Sequence, residues 1–132
     1  MSRRAEATFE VKSWDEEPYA EVEGGPKLTR ASVVRCYYGD IEGDSRVEYL
    51  MTYRPDGSAN FVGFERIVGA IGSRQGSFVL QHSGTFENGI ARAAFSVVRG
   101  TATRDLHGLT GGGEFESGHA ARYPFALDYD FA

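Results

Sequence analysis

The sequence predicts an all-β protein, an eight-stranded antiparallel up-and-down β-barrel. Two observations carry that expectation. Apolar and polar residues alternate along run after run, while apolar spacings of three and four are scarce. Each run also ends at a turn signal, and seventeen glycines against four prolines suit many tight hairpins. The 132 residues are enough for one real core, so one domain covers 1–132.

The elements follow in order. The first strand covers about 6–14, with Phe9 and Val11 on one face and Glu10 and Lys12 on the other. The acidic stretch DEEPYAEVEGGPK (15–27) reads as a loop. The second strand is about 28–38, LTRASVVRCYY, and Gly39 to Asp44 turn the chain. The third and fourth strands, about 45–54 and 58–71, flank the turn Pro55-Asp56-Gly57-Ser58. Gly72 to Gly76 turn again before a fifth strand at about 77–87. Asn88-Gly89 is a strong hairpin signal leading into a sixth strand at about 90–99. GTATRDLHGLTGGG (100–113) reads as a Gly-rich connection to a short seventh strand, about 113–117. The eighth is about 122–131, where Tyr123, Phe125, Leu127, Tyr129 and Phe131 alternate with polar or small residues. Eight strands on short connections read as a closed barrel.

Composition excludes several partners. The net charge of −5 argues against nucleic acid and against an anionic membrane surface, since both need a basic face. The lone Cys36 rules out an internal disulfide. MSRRAEATFEV has no apolar signal segment, and no run approaches a spanning helix, so a soluble cytoplasmic protein is expected. No two histidines have metal-ligand spacing and Cys36 stands alone, so no metal is expected. The chain has no G-x-S-x-G element, and Gly111-Gly112-Gly113 lacks the Lys-Ser/Thr of a phosphate loop.

Hairpin register brings out a candidate site. A two-residue Asp56-Gly57 loop, or a four-residue 55–58 loop, sets Glu48 opposite Glu65. A 72–75 loop sets Glu65 opposite His82, and the Asn88-Gly89 turn sets His82 opposite Phe95. On the fifth strand this row shares its face with Phe78, Leu80 and Phe86, and on the fourth with Phe61 and Ile67. Those strands put the row inside. The third strand dissents, because Val47, Tyr49, Met51 and Tyr53 on its other face look more like core. With the row inside, Tyr49, Met51, Tyr53 and Phe64 form an apolar outer face that a second subunit or a terminal segment covers. With the opposite facing, they are core and the glutamates are solvated.

Two opposed carboxylates inside a barrel repel, which raises a pKa and suits acid–base work. His82 could relay a proton or hold a tautomer. Arg35 faces Glu48 across the 40–43 turn in one register and points outward after a one-residue slip. The bland reading is an exposed acid near Arg46 or Arg66 and a satisfied core histidine. His107 and His119 read as surface residues of Gly-rich loops, and Tyr37, Tyr38, Tyr49 and Tyr53 as packing residues.

The segments EYLMTY, GSANFVGFERIVG, GSFVLQHSGTF and GTATRDLHGLTGGGEF resemble a bacterial domain-of-unknown-function family. That family is grouped with the allene oxide cyclase-like barrels, alongside plant dirigent proteins. The likeness runs from Phe9 to Phe131 and is most specific over 47–86. The family usually shows Gly-Ser-Gly-Thr-Gly before the leucine of the 100–106 loop, where this chain has GTATRDL. The resemblance implies a closed eight-stranded barrel with a cavity, tending to oligomerise. The better-known relatives bind hydrophobic small molecules and guide cyclisation or coupling without a cofactor. Their catalytic residues are not carried over.

The resulting expectation is a small-molecule-binding barrel for an apolar metabolite. Phe61, Phe78, Leu80, Phe95 and Arg35 would shape its pocket, and the small Gly63, Gly69, Ala91 and Ala93 would leave it open. One alternative is a cofactor-free isomerase or cyclase with Glu65 as acid/base, Glu48 as its charge partner and His82 as a relay. Another is a structural homo-oligomer with a filled core, joined through the Tyr49/Met51/Tyr53/Phe64 face.

Overall fold

A computed structural model describes residues 3–118 and 120–132. His119 lies outside the described residues, and His107 is exposed. Eight antiparallel strands close into one barrel in sequence order: β1 (Arg3–Glu21), β2 (Lys27–Gly39), β3 (Ile41–Tyr53), β4 (Ala59–Ile71), β5 (Arg74–Glu87), β6 (Ile90–Val97), β7 (Leu109–Ser117) and β8 (Tyr123–Phe131). β1 closes the barrel on β8, with Ala5 opposite Leu127 and Phe9 opposite Tyr123. Closure pairs β1 on both sides over residues 7–9, while β1 beyond Phe9 pairs with β2 alone. Among the described residues no helix is long and apolar enough to cross a membrane.

Turn chemistry decides which way each strand faces. Arg54 N donates to Ser58 O and Gly57 N to Arg54 O, with Gly57 at φ +89°. Pro55-Asp56-Gly57 is therefore a three-residue loop whose last residue sits in the left-handed region. Tyr53 pairs with Ala59 and Val47 with Glu65. An odd loop moves the register by one from the two- or four-residue expectation, and one residue exchanges the faces of the strand. Val47, Tyr49 and Met51 are consequently buried in the core, and Glu48 points outward. The expected oligomer face does not exist as a face, because Tyr49, Met51 and Tyr53 point inward and only Phe64 points out. The outer surface of β3 and β4 instead exposes Leu50, Val62, Phe64 and Val68.

The β4–β5 connection is the two-residue Gly72-Ser73 turn, so Glu65 lies opposite Leu80 and His82 opposite Gly63. An even shift keeps both inside. His82 pairs with Phe95 across β5–β6, as the Asn88-Gly89 turn dictates. β1 runs seven residues beyond its expected end, to Glu21, so the first part of the acidic stretch is strand and only residues 22–26 turn the chain. A bulge between Val11 and Ser13 shifts the pairing by one. Phe9 and Val11 face inward before it, and Trp14 and Glu16 face inward after it.

Inward Gly63 and Gly84 hold aromatic rings rather than empty space, and Gly69 lies against the backbone of β3. A Cβ on Gly63 would lie 2.8 Å from the Tyr49 ring, and one on Gly84 2.7 Å from Phe61. Rings from the neighbouring strand lie over the bare backbone and fill the gap. One barrel end is sealed in the same dense manner. The 98–108 connection folds over it, with Thr103 N donating to Ser77 O and Ser77 N to Thr103 Oγ1. This seats the fully buried Leu106 with Ile41 and Ile71 in the core.

Leu106→Ala removes that plug and is expected to destabilise the fold by about 2–5 kcal/mol. Chemical denaturation should register a lower midpoint with an unchanged slope.

Candidate functional site

The interior of the barrel carries a carboxylate with no solvent exposure at all, Glu65. Its partners come from β2, β3 and β5. Oε1 lies 2.7 Å from His82 Nε2 and accepts from Arg35 Nη1 at 3.3 Å. Oε2 accepts from the Tyr37 hydroxyl at 2.7 Å and from Ser45 Oγ at 2.6 Å. Burial pushes the Glu65 pKa up, but the Arg35 charge and the bonds from His82 and Ser45 outweigh it and hold the value down at about 2. An ionised carboxylate only accepts, so the shared proton resides on His82 Nε2. His82 Nδ1 has no partner, and its ring packs against Phe95 and Phe115 at 5.7 and 5.6 Å.

Arg35 is equally enclosed. Its Nη2 donates to the Tyr49 hydroxyl at 2.8 Å, and its guanidinium lies 4.4 Å from the Phe9 ring centroid and 5.3 Å from that of Phe115. Burial opposes its charge, but the oxygens of Tyr49 and Glu65 prevail and raise its pKa. For the Tyr37 phenol, burial and the Glu65 charge both act upward and keep it protonated as a donor.

The structure thus brings Glu65, His82 and Arg35 together and leaves Glu48 out. Glu48 sits on the outer face, bonded to Ser32 and 3.9 Å from Arg30, with its side chain 41% exposed. Arg35 pairs with Glu65 and not with Glu48, since its strand partner is Ser45. Phe78, Leu80 and Phe95 are packed core residues.

Beside the cluster a cavity of about 380 Å³ opens at the barrel end opposite the Leu106 plug. That volume lies in the range of small-molecule sites. Arg35, Phe9, Phe115 and Tyr49 form its floor. Met51, Phe61 and Ala91 contribute walls, and Trp14, Glu16 and Tyr53 the rim. Among the expected pocket residues, Phe61 and Arg35 reach this cavity. Glu16 is the carboxylate that faces it. Thr29 Oγ1, the Tyr53 hydroxyl and Trp14 Nε1 donate to Glu16 at 2.6, 2.7 and 2.9 Å. Burial works to raise the Glu16 pKa, and those three bonds carry it below the usual carboxylate value.

Sequence reasoning missed Glu16 and Trp14 because the bulge that turns them inward has no signature in the residues themselves. It also read Tyr37 and Tyr49 as packing alone. Their hydroxyls on an otherwise apolar alternation were the available signal. Ser45 carried none. Among the described residues no group of three or more His, Cys, Asp or Glu is placed to hold a metal ion.

Glu65→Gln leaves Arg35 buried without a counter-charge and is expected to destabilise the protein by about 3–5 kcal/mol at neutral pH. The folded pKa lies below the ordinary one, so the contribution of Glu65 is complete above about pH 4.5 and lost as pH falls toward 2. That linkage amounts to about 3 kcal/mol. Denaturant unfolding from pH 7 down to pH 2.5 should show the stability gap between wild type and variant narrowing only below pH 4.5.

No curated protein matches the chain. It is similar to the crystal structure of a protein of unknown function from the DUF3224 family of Shewanella oneidensis MR-1. The two share 29% sequence identity, the match covers 100% of this chain and 99% of that one, and the TM-score is 0.82. The family model described as a protein of unknown function, DUF3224, matches residues 5–129, which takes in all but the ends of β1 and β8. The chain belongs to the DUF3224 family.

Proposed function

We propose that the barrel binds a small, largely apolar molecule in its open end. The observation that carries this reading is the cavity itself. It is walled by aromatic and aliphatic side chains, reaches the buried Arg35, and lies at the end that the 98–108 connection leaves uncovered. A barrel evolved only for rigidity has no need of an apolar hollow at one end when the other is plugged by a leucine. Walls of this kind, with a few fixed polar groups, characterise small-molecule sites.

The finer grouping we propose is with the allene oxide cyclase-like barrels, on the resemblance of segments such as GSANFVGFERIVG and GSFVLQHSGTF. A cofactor-free isomerase or cyclase is the second reading. Its acid–base group would be Glu16, which faces the cavity. Glu65 has both oxygens occupied by four partners and serves in that case as the anchor that positions Arg35.

Trp14 is the only tryptophan in the chain and stands at the rim, so its fluorescence reports on occupancy. Titration with the neutral probe N-phenyl-1-naphthylamine is expected to change Trp14 emission saturably, with one site per chain. Ala91→Phe, which projects a ring into the cavity, should weaken the probe at least about fivefold. A linear, unsaturable response, or binding indifferent to Ala91→Phe, rejects the reading.

A further inference from the structure

The cavity floor carries hydrogen-bond donors with capacity to spare. Arg35 is only 4% exposed and gives Nη1 to Glu65 and Nη2 to the Tyr49 hydroxyl, while its Nε has no partner. A guanidinium has five N–H groups and no acceptor capacity. Tyr49, 3% exposed, accepts from Arg35 through its hydroxyl oxygen, which leaves that hydroxyl's own proton to donate. Both side chains line the cavity. The strong acceptor beneath them, Glu65, is filled by four donors. Arg35 Nε is itself enclosed, so the donors left for an oxygen brought from outside are the remaining guanidinium N–H groups and the Tyr49 hydroxyl proton.

The rim has the opposite character. Glu16 is the one carboxylate among the described residues that line the cavity, and the three groups bonded to it are neutral. Lys27 lies 5.1 Å from the centre of the Tyr53 ring, on the approach to this rim. The cavity therefore has a polarity along its length, with donors and a cation at the floor, apolar walls, and an anion at the mouth.

We propose that the ligand is an apolar molecule whose single polar group is an oxygen acceptor of the carboxylate or carbonyl kind. It enters polar end first, with that oxygen meeting Arg35 and Tyr49. This rests on the binding reading above. The cationic floor disfavours an ammonium head. The Glu16 carboxylate at the rim disfavours a second anionic group beside it at the trailing end of the molecule.

Four molecules with one ring system test this: 2-naphthoate, 2-acetonaphthone, 2-naphthylmethylammonium and 2-ethylnaphthalene. Their affinities for the full chain, by calorimetry or Trp14 fluorescence, are expected to favour naphthoate or acetonaphthone over the other two by at least about tenfold. That is the advantage of one well-made hydrogen bond to a charged donor. Which of the two binds tighter distinguishes a carboxylate ligand from a carbonyl one. In Tyr49→Phe, the advantage of the acceptor molecule over ethylnaphthalene should shrink, with Arg35 retaining part of it. Ethylnaphthalene or the ammonium binding as tightly as the acceptors overturns the proposal while leaving the cavity reading intact. Binding of none of the four, the hydrocarbon included, overturns both. The wild-type series decides the matter even where Tyr49→Phe fails to fold.

Discussion

The structure depends on accommodating one negative charge at the centre of a closed barrel. Glu65 is sealed from water, and an isolated carboxylate there would cost several kcal/mol. It is tolerated because side chains of β2, β3 and β5 converge on it: Arg35 and Tyr37, Ser45, and His82. Each partner lies on a strand whose side chains alternate between core and solvent. A slip of one residue on any of those strands would carry a partner to the outside and leave the charge exposed to apolar surroundings. The ion pair thereby holds half the barrel in register, a role that hydrophobic contact alone, being non-directional, performs poorly.

The same constraint shapes the site. Arg35 is recruited to neutralise Glu65, and its length and planar fork leave part of the guanidinium on the far side of the cluster, against Phe9 and Phe115. The cavity floor is thus the reverse side of a structural ion pair. Its polarity needs no dedicated residue. The two barrel ends then differentiate by what covers them. A loop anchored by Thr103 on β5 brings Leu106 into one end. At the other, a bulge after Val11 turns the strand so that Trp14 and Glu16 face the opening.

Much of the fold was legible because a barrel of hairpins is a local structure. Strands β5, β6 and β8 showed unbroken alternation, and the Asn88-Gly89 turn permits essentially one connection, so His82 opposite Phe95 followed directly. The centre of the site, Glu65 with His82, was legible for the same reason. Glu48 was misplaced because Pro-Asp-Gly-Ser accommodates loops of two, three or four residues, and the odd one reverses every side chain of β3. The alternation of β3 itself, with Val47, Tyr49 and Met51 on one face, pointed to the correct answer against the turn. Where turn chemistry and burial pattern disagree, the buried area of a whole strand outweighs the preference of one loop.

By itself the sequence determined the class of fold, the number of strands and the inward face of most of them, since alternation and turn residues are properties of neighbours along the chain. It also determined that a carboxylate and a histidine would share an interior otherwise filled with rings. Only the tertiary structure decided what neutralises that carboxylate, because Arg35 and Glu65 are thirty residues apart and meet through the registers of two hairpins in series. It alone decided that Glu16 faces a cavity, because a bulge is one extra residue in a ladder and leaves no mark on composition. And it alone decided which barrel end stays open, because that depends on where a long connection comes to rest once every strand has closed.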